Sequence, residues 1–321
     1  MSGKPGGAFV SLHEIDELKS CPDISRIVRS LLIVWPEHGQ YCKARFDGND
    51  AVFLERTESV AGLILKIVGD ELETYCMDYR WMCEEFLKEE IYFRRHGKYR
   101  LSTFEGAFKE IYGVKEYMSR YVRGILISQL IWSPHARALD YFRSGFLDRI
   151  PGHSSYLEVG PGHGLFLFFA SKCANLDRLE AWDVSESSIA ETKSTLKALD
   201  VKRDIRIIAQ DILKAPSSAG EYDAAVISEV LEHLEQPDVA LRTLQTALKP
   251  GGRIFINAPL NSPAPDHIYL WRTPEEFRGF VTDQGFEIES FELFPITGAS
   301  LALALRQKLS ISCVVVGVKP H

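Results

Sequence analysis

The sequence predicts an α/β protein, a doubly wound, seven-stranded and mostly parallel sheet preceded by a mainly helical N-terminal domain. Three observations carry this. From Tyr156 to Val318, apolar runs of strand length alternate with amphipathic stretches, the pattern of a mainly parallel sheet. The first run ends in Leu157-Glu158-Val159-Gly160-Pro161-Gly162-His163-Gly164 and leads straight into amphipathic Leu165 to Lys172. Strand, glycine turn and helix in that order describe the first turn of a doubly wound domain, where a nucleotide-like ligand sits beyond the strand ends. Before Ile150 the apolar residues fall mostly at helical spacing instead.

At 321 residues the chain can bury more than one core. A formal net charge of -7 gives no field that would gather nucleic-acid phosphates, so no nucleic-acid partner is expected. No apolar run reaches the roughly 18 residues of a membrane helix, and no membrane partner is expected either. Met1 to Val10 lacks the apolar core of a signal peptide and reads as a flexible leader of a cytoplasmic protein. The six cysteines include no C-x-x-C pair. They fit reduced, mostly buried thiols rather than a disulfide framework or a structural zinc site.

In chain order, Ser25 to Trp35 is apolar at helical spacing and is stopped by Pro36 to Gly39. Val60 to Val68 and Glu71 to Leu87 read as two further helices. Glu90 to Ser102 reads as a β-hairpin: two aromatic segments, Ile91-Tyr92-Phe93 and Tyr99-Arg100-Leu101, flank a basic tip with Gly97. Helices followed by such a hairpin look like a winged helix. Phe104 to Ile150 is helical and aromatic-rich, with Ser133-Pro134 opening a new helix. Its aromatics suit a lid and a pocket for an apolar or aromatic ligand, and Tyr117, Tyr121, Trp132 and the later Trp271 are taken as its walls. Pro151-Gly152 marks a boundary. The expected organisation is therefore 1–103 as the N-terminal module, 104–150 as lid and linker, and 151–321 as the ligand-binding domain.

In the second half, Arg178 to Trp182 is the second strand and ends at Asp183, 19 residues after Gly164. That is close to the offset at which a carboxylate reaches ribose hydroxyls in this architecture. Capping the helix that begins near Glu186 is the bland role for Asp183, although Val184-Ser185 supply a better cap. Asp204 to Ala209 is the third strand, with Asp211 and Ile212 beyond its end. Tyr222 to Ile227 is the fourth, followed by Ser228-Glu229-Val230-Leu231-Glu232-His233-Leu234. Lys249-Pro250-Gly251-Gly252 precedes the fifth strand, Arg253 to Ala258. Thr273-Pro274 opens a helix, Phe286 to Leu293 and Ile311 to Val318 are strands, and Leu301 to Leu309 between them is helical.

The glycines are spaced E-x-G-x-G-x-G. A dinucleotide fingerprint would need its third glycine at 165, which is leucine. A pyrophosphate also disfavours a nearby acid, whereas a cationic ligand tolerates Glu158. The ordered set, from the glycine turn through Asp183 and Asp211 to E-V-L-E-H-L and L-K-P-G-G, resembles class I S-adenosylmethionine-dependent methyltransferases. The resemblance implies S-adenosyl-L-methionine as cofactor, held by Glu158, Gly160, Gly162, Gly164, Asp183, Val184, Asp211, Ile212, Ser228 and Glu229. In that family Asp211 would bond the adenine amino group and Ile212 would pack on the ring, and the last strand would run antiparallel. The N-terminal module is loosely similar to the dimerisation module of small-molecule O-methyltransferases, which implies a homodimer.

Methyl transfer from a sulfonium is an in-line displacement in which the protein mainly positions the nucleophile. His233, after the fourth strand, and His267, in the Pro-rich loop after the fifth, are the candidate bases, with Asp266 as a possible orienter of His267. His163 is expected to face solvent or the methionine end of the cofactor. His233, Asp266 and His267 could form a facial metal site, but nothing in the spacing requires one and no metal is assigned. The expected function is O-methylation of a small-molecule acceptor, with carbon or nitrogen methylation, metal-assisted or not, as the near alternative. The rival of another class is a non-catalytic S-adenosylmethionine-binding regulator.

Overall fold

A computed structural model describes residues 15–215 and 219–321; the expected leader over Met1 to Val10 lies outside the described residues. The first helix, α1 (Pro22–Val34), begins with proline in its first turn and buries Ile24, Ile27, Val28 and Leu31 at helical spacing. Its unpaired N-terminal amides are met from another helix: the Glu58 carboxylate accepts from the Asp23 and Ile24 amides at 2.8 and 3.0 Å. Glu58 lies on α3 (Ala51–Val68), which follows the short α2 (Gly39–Phe46) and is capped by Asp50 accepting from the Phe53 amide.

The expected hairpin is absent. α4 runs unbroken from Leu72 to His96, and Glu89 and Phe93 continue the buried face begun by Leu72, Cys76, Tyr79 and Met82. Arg94 pairs with Glu90 one turn back, and Gly97, at φ +67°, ends the helix in the left-handed conformation. The basic run is thus complementary charge at a helix C-terminus, not the tip of a wing, and the N-terminal region is helical throughout its described residues.

A short helix α5 (Phe104–Ala107) runs into a π turn over Phe108–Tyr112, and α6 (Lys115–Ile131) then crosses α4 closely at Gly124. A Cβ there would stand 2.9 Å from Met82 Sδ and 3.2 Å from the Asp78 carbonyl oxygen. α7 (Ser133–Tyr141) leads through a second π turn to β1 (Ser154–Val159).

From β1 the chain winds as expected: α8 (Leu165–Lys172), β2 (Leu176–Asp183), α9 (Glu186–Ala198), β3 (Arg206–Ala209), β4 (Tyr222–Ser228), α10 (Pro237–Ala247), β5 (Leu248–Leu260), α11 (Pro274–Asp283), β6 (Glu287–Pro295), α12 (Leu301–Gln307) and β7 (Ile311–Val318). The strand order is β3-β2-β1-β4-β5-β7-β6. β1 to β5 are parallel, and β7 lies antiparallel between β5 and β6. Order reverses between β1 and β4, which opens the crevice in which ligands sit.

Side chains alternate across the sheet. Tyr156, Leu179, Ala224, Val226, Phe255 and Val316 face one core that also takes in α8 and the N-terminal helices. Leu157, Val159, Ala225, Ile227, Ile254 and Val315 face a second core under α10, α11 and α12. One continuous apolar core therefore fixes the helical N-terminal region onto the sheet. Cys76 and Cys83 both pack into it, and no helix among the described residues is long and apolar enough to cross a membrane.

Candidate active site

A cavity of about 550 Å³ lies beyond the carboxyl ends of β1, β2, β4 and β5. Its roof is aromatic and apolar, formed by Phe104, Phe108 and Tyr112 around the π turn, by Tyr121 and Ile125 of α6, and by Trp132.

One wall is the turn after β1. Gly160, Gly162 and Gly164 all take positive φ, +69°, +49° and +76°, where a side chain is strained. A Cβ at Gly160 would collide with Val230 Cγ2 at 2.4 Å, whereas at Gly162 the nearest atom would be the Gly160 carbonyl oxygen at 3.9 Å. Gly160 is therefore required by packing, and Gly162 keeps bare backbone toward the open space. The Thr192 hydroxyl of α9 donates to the Gly162 carbonyl at 2.8 Å and holds the turn in place.

Beneath it, Glu158 is only 3% exposed. It accepts from the Tyr156 hydroxyl at 2.6 Å, and burial pushes its pKa up to about 8. No described residue pairs a cation with it. At the end of β2, Asp183 accepts from the Ser185 amide at 2.8 Å and the Ser188 hydroxyl at 2.6 Å. Burial raises its pKa. Ser185 itself caps α9, so Asp183 braces that turn and keeps lone pairs toward the cavity. Val184, 60% exposed, overhangs the rim.

The opposite wall is polar and deeply buried. Asp266 accepts from the hydroxyls of Tyr112 and Tyr121 at 2.9 and 3.0 Å and stands 3.5 Å from His233 Nδ1. Burial pushes its pKa up, but His233, His267 and the two hydroxyls outweigh that and hold it below the ordinary value. His233 Nδ1 also faces the Asp266 carbonyl oxygen at 3.1 Å, and His267 Nδ1 faces the Ser262 carbonyl oxygen at 2.6 Å. Burial first, and His233 second, lower the His267 pKa to about 4. Glu229, at the end of β4, has φ +53°, and its amide donates to the Asn257 carbonyl at 2.8 Å. Strained backbone of this kind concentrates at functional sites.

Residues 132–292 match the family model described as a methyltransferase domain. The chain belongs to the methyltransferase family. Among curated relatives, the ubiquinone biosynthesis O-methyltransferase of Xanthomonas axonopodis pv. citri (strain 306) is 30% identical over 115 residues, 36% of this chain and 46% of the relative. The protein of that name from Dechloromonas aromatica (strain RCB) is 32% identical over 108 residues, 33% of this chain and 45% of the relative. The methyltransferase thus spans less than half the length of the curated relatives it matches. Among solved structures, the YcgJ protein of Bacillus subtilis is 12% identical with a TM-score of 0.48, over 58% of this chain and 100% of that one.

The cofactor of this methyltransferase fold is S-adenosylmethionine, and the glycine wall has features that suit a cationic ligand: bare backbone at Gly162, a buried acid without a cation at Glu158, and the Asp183 carboxylate at the end of β2. Asp183→Ala is expected to weaken S-adenosylhomocysteine binding by roughly 1.5–3 kcal/mol, the range for a hydrogen bond to a charged group. Calorimetry on folded variant checks it; a loss of a few tenths would leave Asp183 only the bracing of its turn.

Glu158, Gly160, Gly162, Asp183, Val184, Ser228, Glu229, Tyr121, Trp132, His233 and His267 all line the cavity of the methyltransferase. Gly164 stands just behind it as the residue before α8. Four further expected site residues do not line it either. Asp211 turns back to accept from the Leu213 amide at 2.9 Å and to pair with Lys214 at 3.0 Å. Ile212 is 5% exposed in the second core. Tyr117 packs edge-on against Trp81, with ring centroids 4.8 Å apart. Trp271 is sealed among Tyr269, Phe277 and Phe280; its backbone bridges to Leu260, which turns the indole toward α11.

Two other expectations are narrowed by the structure. Of the two places expected for His163, solvent is ruled out: it lines the cavity, and burial lowers its pKa to about 4. Asp266 contacts His233 and two tyrosines rather than bonding His267, whose Nδ1 donates to the Ser262 carbonyl oxygen. The sequence reading did not single Tyr112 out of the aromatic stretch and gave Glu232 no role. Tyr112 lies nine residues before Tyr121 across the π turn and Gly113, a separation no helical period aligns. Glu232 is buried in a short 3-10 turn, Leu231–His233, where a charged residue beside a strand end gives no local sign of burial.

Proposed function

We propose that this chain is an S-adenosylmethionine-dependent methyltransferase that methylates an oxygen of a small, partly apolar acceptor. The observation that carries the reading is that the glycine wall and the histidine–aspartate–tyrosine wall are two sides of one cavity under an aromatic roof. A cofactor on the first wall presents its methyl group toward a nucleophile held by the second. Phe86, Met118, Val122, Ile125 and Trp132 give the acceptor an apolar seat, and the depth of the polar wall suits a small molecule rather than a polymer. The O-methyltransferase names of the curated relatives support oxygen as the accepting atom.

The cofactor, when bound, supplies the methyl group and its leaving group. The chain supplies alignment and exclusion of water. Both histidines point Nδ1 at a backbone carbonyl, which only accepts, so Nδ1 carries the proton and Nε2 offers its lone pair. With a pKa of about 4, His267 is a weak acceptor for the proton of an aromatic hydroxyl, which ordinarily ionises near ~10. The acceptor must be made more acidic in the site before that proton moves.

Purified protein incubated with isotopically labelled S-adenosylmethionine and a panel of small phenols and catechols tests the reading. Labelled methyl ether and S-adenosylhomocysteine are expected. In His267→Ala, turnover should fall roughly 10²–10⁴-fold with S-adenosylhomocysteine affinity kept. Cofactor binding with no transfer to any small acceptor would favour a regulator that only binds it.

A further inference from the structure

Beneath the histidine wall lies a group of side chains whose hydrogen-bonding capacities do not match. Glu232 is fully buried, at 0% exposure. Its Oε1 lies 3.8 Å from His233 Nε2 and 3.9 Å from His267 Nε2. One ligand atom from each of the three residues falls within 4.8 Å of the others. The Glu229 carboxylate lies against that of Glu232. Both oxygens of Glu232 and Oε1 of Glu229 lack a hydrogen-bond donor.

The tautomers sharpen the mismatch. Because each Nδ1 donates to a carbonyl oxygen, each Nε2 is a lone pair, and both are aimed at the Glu232 carboxylate rather than at a donor nitrogen. Two imidazole nitrogens and the Glu232 carboxylate converge on one point, and the only proton the cluster can hold is one shared between Glu232 and Glu229. A buried polar group left unpaired in this way is costly. Histidines whose far nitrogen is anchored on a carbonyl, as here, have the arrangement of metal ligands. Ligands ~2.1 Å from a shared ion stand at most ~4.2 Å apart; the 3.8 and 3.9 Å separations from Glu232 lie within that limit, and the whole set, within 4.8 Å, would close on an ion by small side-chain rotations.

We propose that Glu232, His233 and His267, with Glu229 alongside, bind a divalent first-row transition cation. Imidazole with carboxylate suits Mn²⁺, Fe²⁺, Co²⁺ or Zn²⁺ rather than a thiolate-seeking ion. His233, His267 and Glu229 also line the cavity, so coordination positions not taken by the protein open toward the acceptor. An oxygen of the acceptor bound there would be acidified by the ion, as metal-bound water is, and would release its proton to water, because His267 Nε2 would be taken up by the ion. That use of the ion rests on the methyltransferase reading; the site itself does not.

Chelator-stripped full-length protein titrated with Mn²⁺ alone, followed by loss of the free-ion electron paramagnetic resonance signal, tests the site without cofactor or acceptor. About one equivalent per chain should bind, and Co²⁺ or Zn²⁺ should displace it. Glu232→Gln and His267→Gln should each weaken binding more than tenfold, with unfolding curves run to show that both variants are folded. Asp183→Ala should bind Mn²⁺ as the parent does. Absence of saturable binding of all three ions to the parent overturns the proposal, as does unchanged binding in both ligand variants. Methyl transfer that survives complete chelation removes the ion from the reaction while leaving the methyltransferase reading intact. Stoichiometric metal without any methyl transfer keeps the site and defeats that reading.

Discussion

Gly162→Val is expected to weaken S-adenosylhomocysteine binding by roughly 100-fold or more, about 2.8 kcal/mol, while the protein stays folded. Two effects add. The backbone at Gly162 sits at φ +49°, where a β-branched residue is an outlier costing roughly 1–3 kcal/mol. A side chain would also project where the nearest protein atom is 3.9 Å from the Cβ position, so the protein tolerates it in space and the ligand does not. Gly160→Ala makes the contrast. Its Cβ would meet Val230 Cγ2 at 2.4 Å, so that variant should lose thermal stability as well as affinity. Calorimetry with S-adenosylhomocysteine and thermal unfolding of both variants separate the cases. Parental affinity in folded Gly162→Val would move the cofactor away from the glycine turn.

The glycine wall of this cavity was legible in the sequence because its determinants are local. A buried parallel strand is a continuous apolar run, and the turn after it is written in consecutive residues, so β1, the turn and α8 could be placed without tertiary information. Asp183 follows from a fixed βαβ length. The acceptor side is assembled from distant parts: the bond from Tyr112 to Asp266 spans 154 residues and that from Tyr121 spans 145. Glu232 gives no local sign of burial until the loop after β5 folds over it, with the Ile268 and Tyr269 amides both donating to the Glu232 carbonyl.

The misread hairpin shows the converse error. Ile91-Tyr92-Phe93 has strand-like composition, but only Phe93 of the three is buried, at the helical interval from Glu89. Period, not composition, decided the element. Trp271 failed differently: its place in the chain, beyond a strand end, was right for the rim, yet the bridge to Leu260 sends its ring into the core.

Glu158 gives the ligand-free protein a pH dependence opposite to that of a salt-bridged carboxylate. Its folded pKa is about 8 against an ordinary 4.5. Between those values the folded state holds a proton that the unfolded state has released, so stability falls as pH rises. Below about 4.5 both states are protonated, above about 8 both are ionised, and the contribution is flat at either end. Across the window the loss is on the order of 5 kcal/mol, from about 1.4 kcal/mol per pH unit. Burial likewise raises Glu229 and Glu232, so the parent curve alone cannot isolate Glu158. The difference between parent and Glu158→Gln can, because the two share every other group. In denaturant unfolding at a series of pH values, the parent should lose stability relative to Glu158→Gln from pH 4.5 to 8 and run parallel to it on either side. Saturating S-adenosylmethionine should shrink that difference, since a cation beside Glu158 stabilises the ionised form and draws the pKa down. Parallel curves at every pH would mean that Glu158 titrates as an ordinary solvated acid, and the cofactor would then lose the desolvated counter-charge assigned to it.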